Sequence, residues 1–160
     1  MNEIKYRPIG VIHTPFKKAG DAPIQGILAP GSKGKIEIYP EFTGGLRDIE
    51  GFSHLILLYH FHQSTGFSLT AKPFLDKETK GIFATRYFAR PNSIGLTIVR
   101  LEKVSGNVLE ISEIDMLDGT PLLDIKPYVP DFDCRTDVKD GWYRNCSERD
   151  KYLKSSGGKA

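Results

Sequence analysis

Arg86 and Arg90 stand four residues apart in the run GIFATRYFARPNSIG, residues 81–95, and a rigid turn follows them. A guanidinium stays charged in a protein and presents a planar fork that matches carboxylate or phosphate. Pro91 drives Arg90 toward an extended backbone, and Asn92 tolerates the left-handed region that ends a strand. Two cations beside such a bend point to an anionic ligand; the competing reading is a pair of solvated surface arginines. Ile82, Phe83, Ala84 and Thr85 read as the short strand that leads into the pair.

Three further groups could do chemistry. His60 and His62 lie two apart on a strand and so face one side, but no third ligand at a defined spacing completes a metal set, and packing or hydrogen bonding is the expected role. Asp115, Asp118 and Asp124 surround Gly119-Thr120-Pro121, where turn stabilisation competes with binding of hydroxyl or amino groups. Lys126 and Tyr128 share a face of an extended backbone; they read either as a structural pair or as a phosphate contact beside a stacking platform. Glycine-rich phosphate cradles are missing from the sequence, because Gly31-Ser32-Lys33-Gly34-Lys35 lacks the required spacing. Dinucleotide and nucleoside triphosphate readings lose support accordingly.

These groups need a scaffold, and the pattern around them is mainly β. Residues 6–13 are an extended candidate near a sheet edge, and residues 35–39 alternate polar with apolar. Residues 53–62 form a long apolar strand, and residues 94–104 and 108–114 a hairpin across the turn Ser105-Gly106-Asn107. A short helix fits residues 41–49, weakened by Gly44-Gly45. The Gly/Pro-rich stretch 15–34 is a long loop of the kind that binds ligands. Strands separated by turns, without long amphipathic helices, point to an antiparallel barrel rather than a doubly wound sheet. The chain has 160 residues, enough for one ordinary domain. We expect a domain over residues 1–138 and a C-terminal extension over 139–160 whose Lys, Ser and Gly end is disordered. The formal charge of +2, from 22 basic and 20 acidic residues, gives no global field, so any RNA contact needs a local patch. Without an apolar run of spanning length or a signal segment, no membrane partner and a cytoplasmic location are expected. Cys134 and Cys146 lack zinc-site spacing and are expected as reduced thiols.

The run 81–95 resembles the signature of the TrmO family, also called TsaA-like or YaeB, whose pattern is close to G-V-F-A-T-R-x(3)-R-P-N-P-I-G. Residues 115–130, DMLDGTPLLDIKPYVP, are similar to the family block D-x-x-D-G-T-P-x-x-D-I-K-P-Y. With residues 9–16, IGVIHTPF, and Phe61-His62-Gln63, the resemblance spans residues 9–142. It implies a single-sheeted β barrel, S-adenosyl-L-methionine as cofactor, a homodimer with the donor site near its interface, and methylation of N6 in threonylcarbamoyladenosine next to the tRNA anticodon. It also implies donor contacts at Pro23, Ile24 and Gln25 in the long loop and at His62, Gln63, Arg86 and Leu96. Asp115, Met116, Leu117 and Asp118 complete that set. Arg90, Asn92, Lys126 and Tyr128 belong to the acceptor side, where the threonyl carboxylate is a natural partner for Arg90 or Lys126.

The chemistry so implied is methyl displacement, in which positioning supplies a large part of the barrier reduction and a proton must leave N6. Asp118 and Tyr128 are candidate bases, with Lys126 beside them, and a water or an RNA group is an alternative acceptor. Tyr87, Phe88 and Ser93 depart from the family pattern, which opens two rival readings: the same donor with another nucleoside or small-molecule acceptor, or a noncatalytic RNA-binding or donor-sensing module. We expect no counterpart of the additional C-terminal domain of longer bacterial members. Whole-tRNA recognition is therefore expected to fall on the dimer and on Trp142, Tyr143, Arg144 and Arg149.

Overall fold

Alternation builds the sheet. In a computed structural model, described for residues 3–146, 148 and 150, strand β1 covers Gly10–His13 and β2 covers Lys33–Ile38. Strand β3 is His54–His60, and the two-residue strands β4, Thr70–Ala71, and β5, Lys80–Gly81, form a separate ribbon. Strands β6, Ile94–Ser105, β7, Val108–Ser112, and β8, Thr120–Pro127, complete the set. Six of them close a barrel in the order β1-β2-β7-β6-β3-β8, every pairing antiparallel. Every second residue points inward. Leu55 and Leu57 from β3, Ile36 from β2, Val99 from β6, Leu109 from β7 and Leu122 from β8 have no solvent exposure. Each such side chain contributes about 2 kcal/mol of burial free energy.

The mainly β barrel and the β6–β7 hairpin, with Gly106 at φ 62°, follow the sequence pattern. Three local expectations change. Ile82–Ala84 is a 3₁₀ turn rather than a strand, because the Ile82 carbonyl accepts both the Thr85 N–H at 3.1 Å and the Thr85 hydroxyl at 2.9 Å. The helix expected over 41–49 resolves into 3₁₀ segments at Pro40–Leu46 and Ile49–Gly51, split by Asp48 at φ 65°. Asn92 is not in the left-handed region; among described non-glycine residues only Asp48 and Glu113 have positive φ. Strand β8 carries no clear two-residue period and begins Thr-Pro, yet it closes the barrel between β1 and β3 with a register shift at Leu58/Tyr59.

The long loop is stitched to the barrel rather than draped over it. The Ser32 hydroxyl accepts the Ile114 N–H at 2.8 Å and the Ser32 carbonyl accepts the Glu113 N–H at 3.0 Å. Cys134 and Cys146 are both free thiols. Among the described residues no helix is long and apolar enough to cross a membrane. The expected disorder of the final residues, and Arg149, lie outside the described residues.

Candidate functional site

Where β3 ends and β8 begins, two adjoining cavities open. One, of about 520 Å³, is lined by Pro23, Ile24 and Gln25 of the long loop, by His62 and Gln63 beyond β3, by Arg86, and by Asp115, Met116 and Leu117 ahead of β8. Nine of the eleven residues assigned to the donor from sequence therefore meet in one place. Tyr59, Phe88 and Thr120 also line it, and of these Tyr59 and Thr120 carried no assignment. The usable signal for Tyr59 was a polar atom at an inward strand position, which must find a partner or a ligand.

Asp115 is the electrostatic centre. Its Oδ2 accepts the Gly26 N–H and the Thr97 hydroxyl, each at 3.1 Å, while its Oδ1 is buried without a hydrogen-bond partner. Burial raises its pKa to about 6, partly offset by those two bonds and by the Arg86 charge. Burial, reinforced by Asp115, also pushes the Tyr59 phenol up, so it stays protonated. Two glycines make this packing possible. A Cβ on Gly26 would stand 1.8 Å from the Glu113 carbonyl oxygen, and one on Gly95 would lie 2.2 Å from the Tyr59 ring.

Arg86 lines both cavities and donates to Gln25 Oε1 at 2.9 Å, which fixes its head against the loop. Arg90 behaves differently from its neighbour. Its Nη1 donates to the carbonyls of Thr85 at 2.8 Å, Ile82 at 3.2 Å and Tyr87 at 3.3 Å, so the second arginine of the signature clamps the turn that presents the first. We expect Arg90→Ala to cost about 2–3 kcal/mol, because three carbonyls lose a charged donor, with little rescue by Arg90→Lys. Chemical denaturation measures this; a change under 0.5 kcal/mol would refute the clamp.

His62 Nδ1 lies 3.4 Å from the Thr120 hydroxyl, which itself donates to the Leu117 carbonyl at 2.7 Å. Burial and then the neighbouring His60 lower the His62 pKa, against a raising effect of Asp118, so the imidazole is neutral at pH 7. His60 is exposed at the end of β3, and no group of three metal-ligating side chains occurs among the described residues.

The remaining assigned residues stand outside this cavity. Asp118 accepts the Thr14 N–H at 3.0 Å and Lys17 Nζ at 2.5 Å, and these bonds hold its carboxyl below the usual range. Asn92 is exposed in the turn before β6, its carbonyl accepting the Ile94 N–H at 2.7 Å. Leu96 lies on the outer face of β6, 46% exposed between Ile94 and Ile98. Lys126 is exposed and paired with Asp124 at 2.8 Å, which raises its pKa. Tyr128, just past β8, packs edge-on to His54, its N–H bonded to the His54 carbonyl. Lys126 lies four positions beyond Leu122, the register partner of Tyr59, so it sits about 13 Å along the strand from that residue.

The second cavity, about 610 Å³, is walled by Phe74, Phe83, Tyr87 and Trp142, with Arg86 at the junction. Tyr87, a departure from the signature, stacks on Phe88 at 4.3 Å and approaches Phe74 at 5.8 Å.

Residues 11–134 match the family model described as the tRNA-methyltransferase O N-terminal domain. A probable S-adenosyl-L-methionine-binding protein of Pyrococcus abyssi is 55% identical over 139 residues, covering 87% of this chain and 76% of the relative. A human tRNA (adenine(37)-N6)-methyltransferase is 38% identical over 140 residues, 82% of this chain but 31% of the relative. A crystal structure of TrmO superposes with a TM-score of 0.76 at 42% identity, covering 88% of this chain and 64% of that one. A TrmO structure from Pseudomonas aeruginosa gives 0.73 at 40% identity, covering 88% and 62%. This chain thus spans less than two thirds of those solved chains. With the matched segment running from β1 through β8, and with Arg86 of the signature and Asp115 lining one cavity, this chain belongs to the tRNA-methyltransferase O N-terminal domain family.

Proposed function

We propose that this protein is an S-adenosylmethionine-dependent methyltransferase that acts on N6 of the adenine at position 37 of tRNA, in its threonylcarbamoyl form. The observation that carries the reading is the convergence of nine donor positions from four separate segments on one cavity. The residues fit the donor: Asp115 Oδ1, buried and unpartnered, offers an acceptor for an N–H or O–H group, and Met116, Leu117 and Tyr59 supply apolar walls. Bound there, S-adenosylmethionine supplies an electrophilic methyl on a sulfonium.

The chain's own groups then orient and deprotonate. Arg86, braced by Gln25, faces both cavities and is the cation placed for the threonyl carboxylate. Arg90 holds the turn under it. Neutral His62 is a proton acceptor lining the donor cavity, whereas Asp118 is committed to Thr14 and Lys17. Asp118 therefore positions the segment before β8. Lys126 and Tyr128 reach an acceptor across a dimer. The outer face of β6, β3 and β8 carries Ile94, Leu96 and Ile98, with Leu96 in register with Leu58, and Leu58 with Asp124. A second copy seated on that apolar stripe brings Leu96 and Lys126 toward the partner's cavity. Leu96→Glu is expected to give a monomer in sedimentation at micromolar concentration with at least tenfold weaker donor binding; an unchanged dimer counts against this face.

Transfer of labelled methyl to tRNA with or without threonylcarbamoyladenosine, followed by nucleoside mass analysis, tests the activity. Product is expected only on the modified tRNA; donor binding without any product would return the weight to a different acceptor or a noncatalytic module.

A further inference from the structure

Three large apolar side chains are left in water around a single mouth: Phe83 is 77% exposed, Ile27 73% and Phe74 66%, and all three line the 610 Å³ cavity. Exposed apolar surface gathered at one cavity marks a binding site rather than ordinary surface scatter. The volume falls within the range of small-ligand pockets. Ile24, Gln25, Phe74, Arg86 and Tyr87 line both this cleft and the donor cavity, so a group seated here borders the donor.

One wall comes from outside the family match, which ends at residue 134. The 3₁₀ segment Gly141–Asn145 carries Trp142, whose indole N–H donates to the Ala84 carbonyl at 2.6 Å, and whose ring meets Tyr143 edge-on at 6.1 Å. That bond ties the C-terminal segment to the signature turn and anchors the indole in the cleft that Phe83 and Tyr87 also line. Asp140, the acidic residue lining the cleft, is paired with Arg144 at 3.9 Å. Aromatic walls with the Arg86 guanidinium among them suit a flat base on an anionic backbone, and chemistry on a base within folded RNA requires taking it out of its stack.

We propose that this cleft stacks an unpaired purine of the acceptor RNA, with Trp142 as the positioning residue that holds it against the donor cavity. The inference rests on the methyl-transfer reading above for its choice of RNA, and its test is separable from that reading. Trp142 is the single tryptophan of the chain, so its fluorescence reports the stack directly. Titration with a tRNA anticodon stem-loop, in the presence of S-adenosylhomocysteine, is expected to quench that fluorescence saturably. The same stem-loop with an abasic position 37 should not. Trp142→Ala is expected to raise KM for tRNA about tenfold with donor affinity unchanged, and Trp142→Phe to recover part of the loss. Equal quenching by the abasic stem-loop overturns the proposal, as does unaltered KM in Trp142→Ala. Quenching that follows protein concentration without RNA also overturns it and assigns the cleft to a second copy. A native protein that shows base-dependent quenching but no methyl transfer leaves the cleft standing and removes the activity.

Discussion

Asp115→Asn will fold more stably than the native protein at pH 7 and bind S-adenosylmethionine about 10- to 100-fold more weakly. The stability gain follows from linkage. Burial raises the folded-state pKa of Asp115 from 3.8 to about 6, so the folded protein keeps a proton that the unfolded chain has lost between those values. Stability therefore falls as pH rises through that window, and above pH 6 the full cost of an ionised buried carboxylate, about 3 kcal/mol, is present. Asparagine removes the charge while its amide oxygen still accepts from Gly26 and Thr97. Denaturation at pH 4 and pH 7.5 should show the two proteins converging at the lower value and the variant ahead at the higher one. The affinity loss follows from Oδ1, the buried acceptor without a partner, which becomes an NH₂ donor facing the ligand; losing a hydrogen bond to a charged group costs about 1.5–3 kcal/mol. Calorimetry reads this directly. Equal donor affinity would place the ligand elsewhere.

The largest structural loss should come from Gly26→Ala. Its added methyl meets backbone, the Glu113 carbonyl oxygen at 1.8 Å and the Glu113 carbonyl carbon at 2.5 Å, so no side-chain rotation relieves it. The loop must withdraw from the barrel, breaking the Gly26 N–H bond to Asp115 and disturbing the Ser32 contacts with Glu113 and Ile114. We expect a loss of about 3 kcal/mol or more, together with donor binding below detection, because Pro23, Ile24 and Gln25 travel with the loop. Gly31→Ala is the control: a Cβ there meets nothing within 4 Å. A Gly26→Ala protein with native melting temperature and native donor affinity would show that the loop does not need this close approach.

The two arginines show how far residue spacing carries. Their presence beside a rigid turn, and their value to an anionic ligand, were legible from type and spacing. Their division of labour was not. Arg86 faces open cavity while Arg90 turns back onto three carbonyls, because Ile82–Ala84 folds into a 3₁₀ turn that leaves those carbonyls without strand partners. Two-residue alternation identified β2 and an apolar run β3, and β-branched composition with turn chemistry identified the hairpin of β6 and β7. Both are near-neighbour effects, fixed by the pleat and by local φ/ψ preference.

What only the tertiary structure decided depends on closure. The register of β8 against β3 sends Lys126 and Tyr128 to the far end of the barrel from Leu117 and Thr120, although all lie within one continuous block of sequence. The same closure buries Asp115 with one oxygen unpaired, turns Leu96 outward, and brings Trp142 onto Ala84 across 58 residues. The sequence by itself carried most of the strand pattern, the family signature and nine of the residues that meet around the 520 Å³ cavity. Which of them face the cavity, which brace it and which look outward was decided by sheet register and chain reversal, since a side chain's direction across a barrel depends on strands distant in sequence.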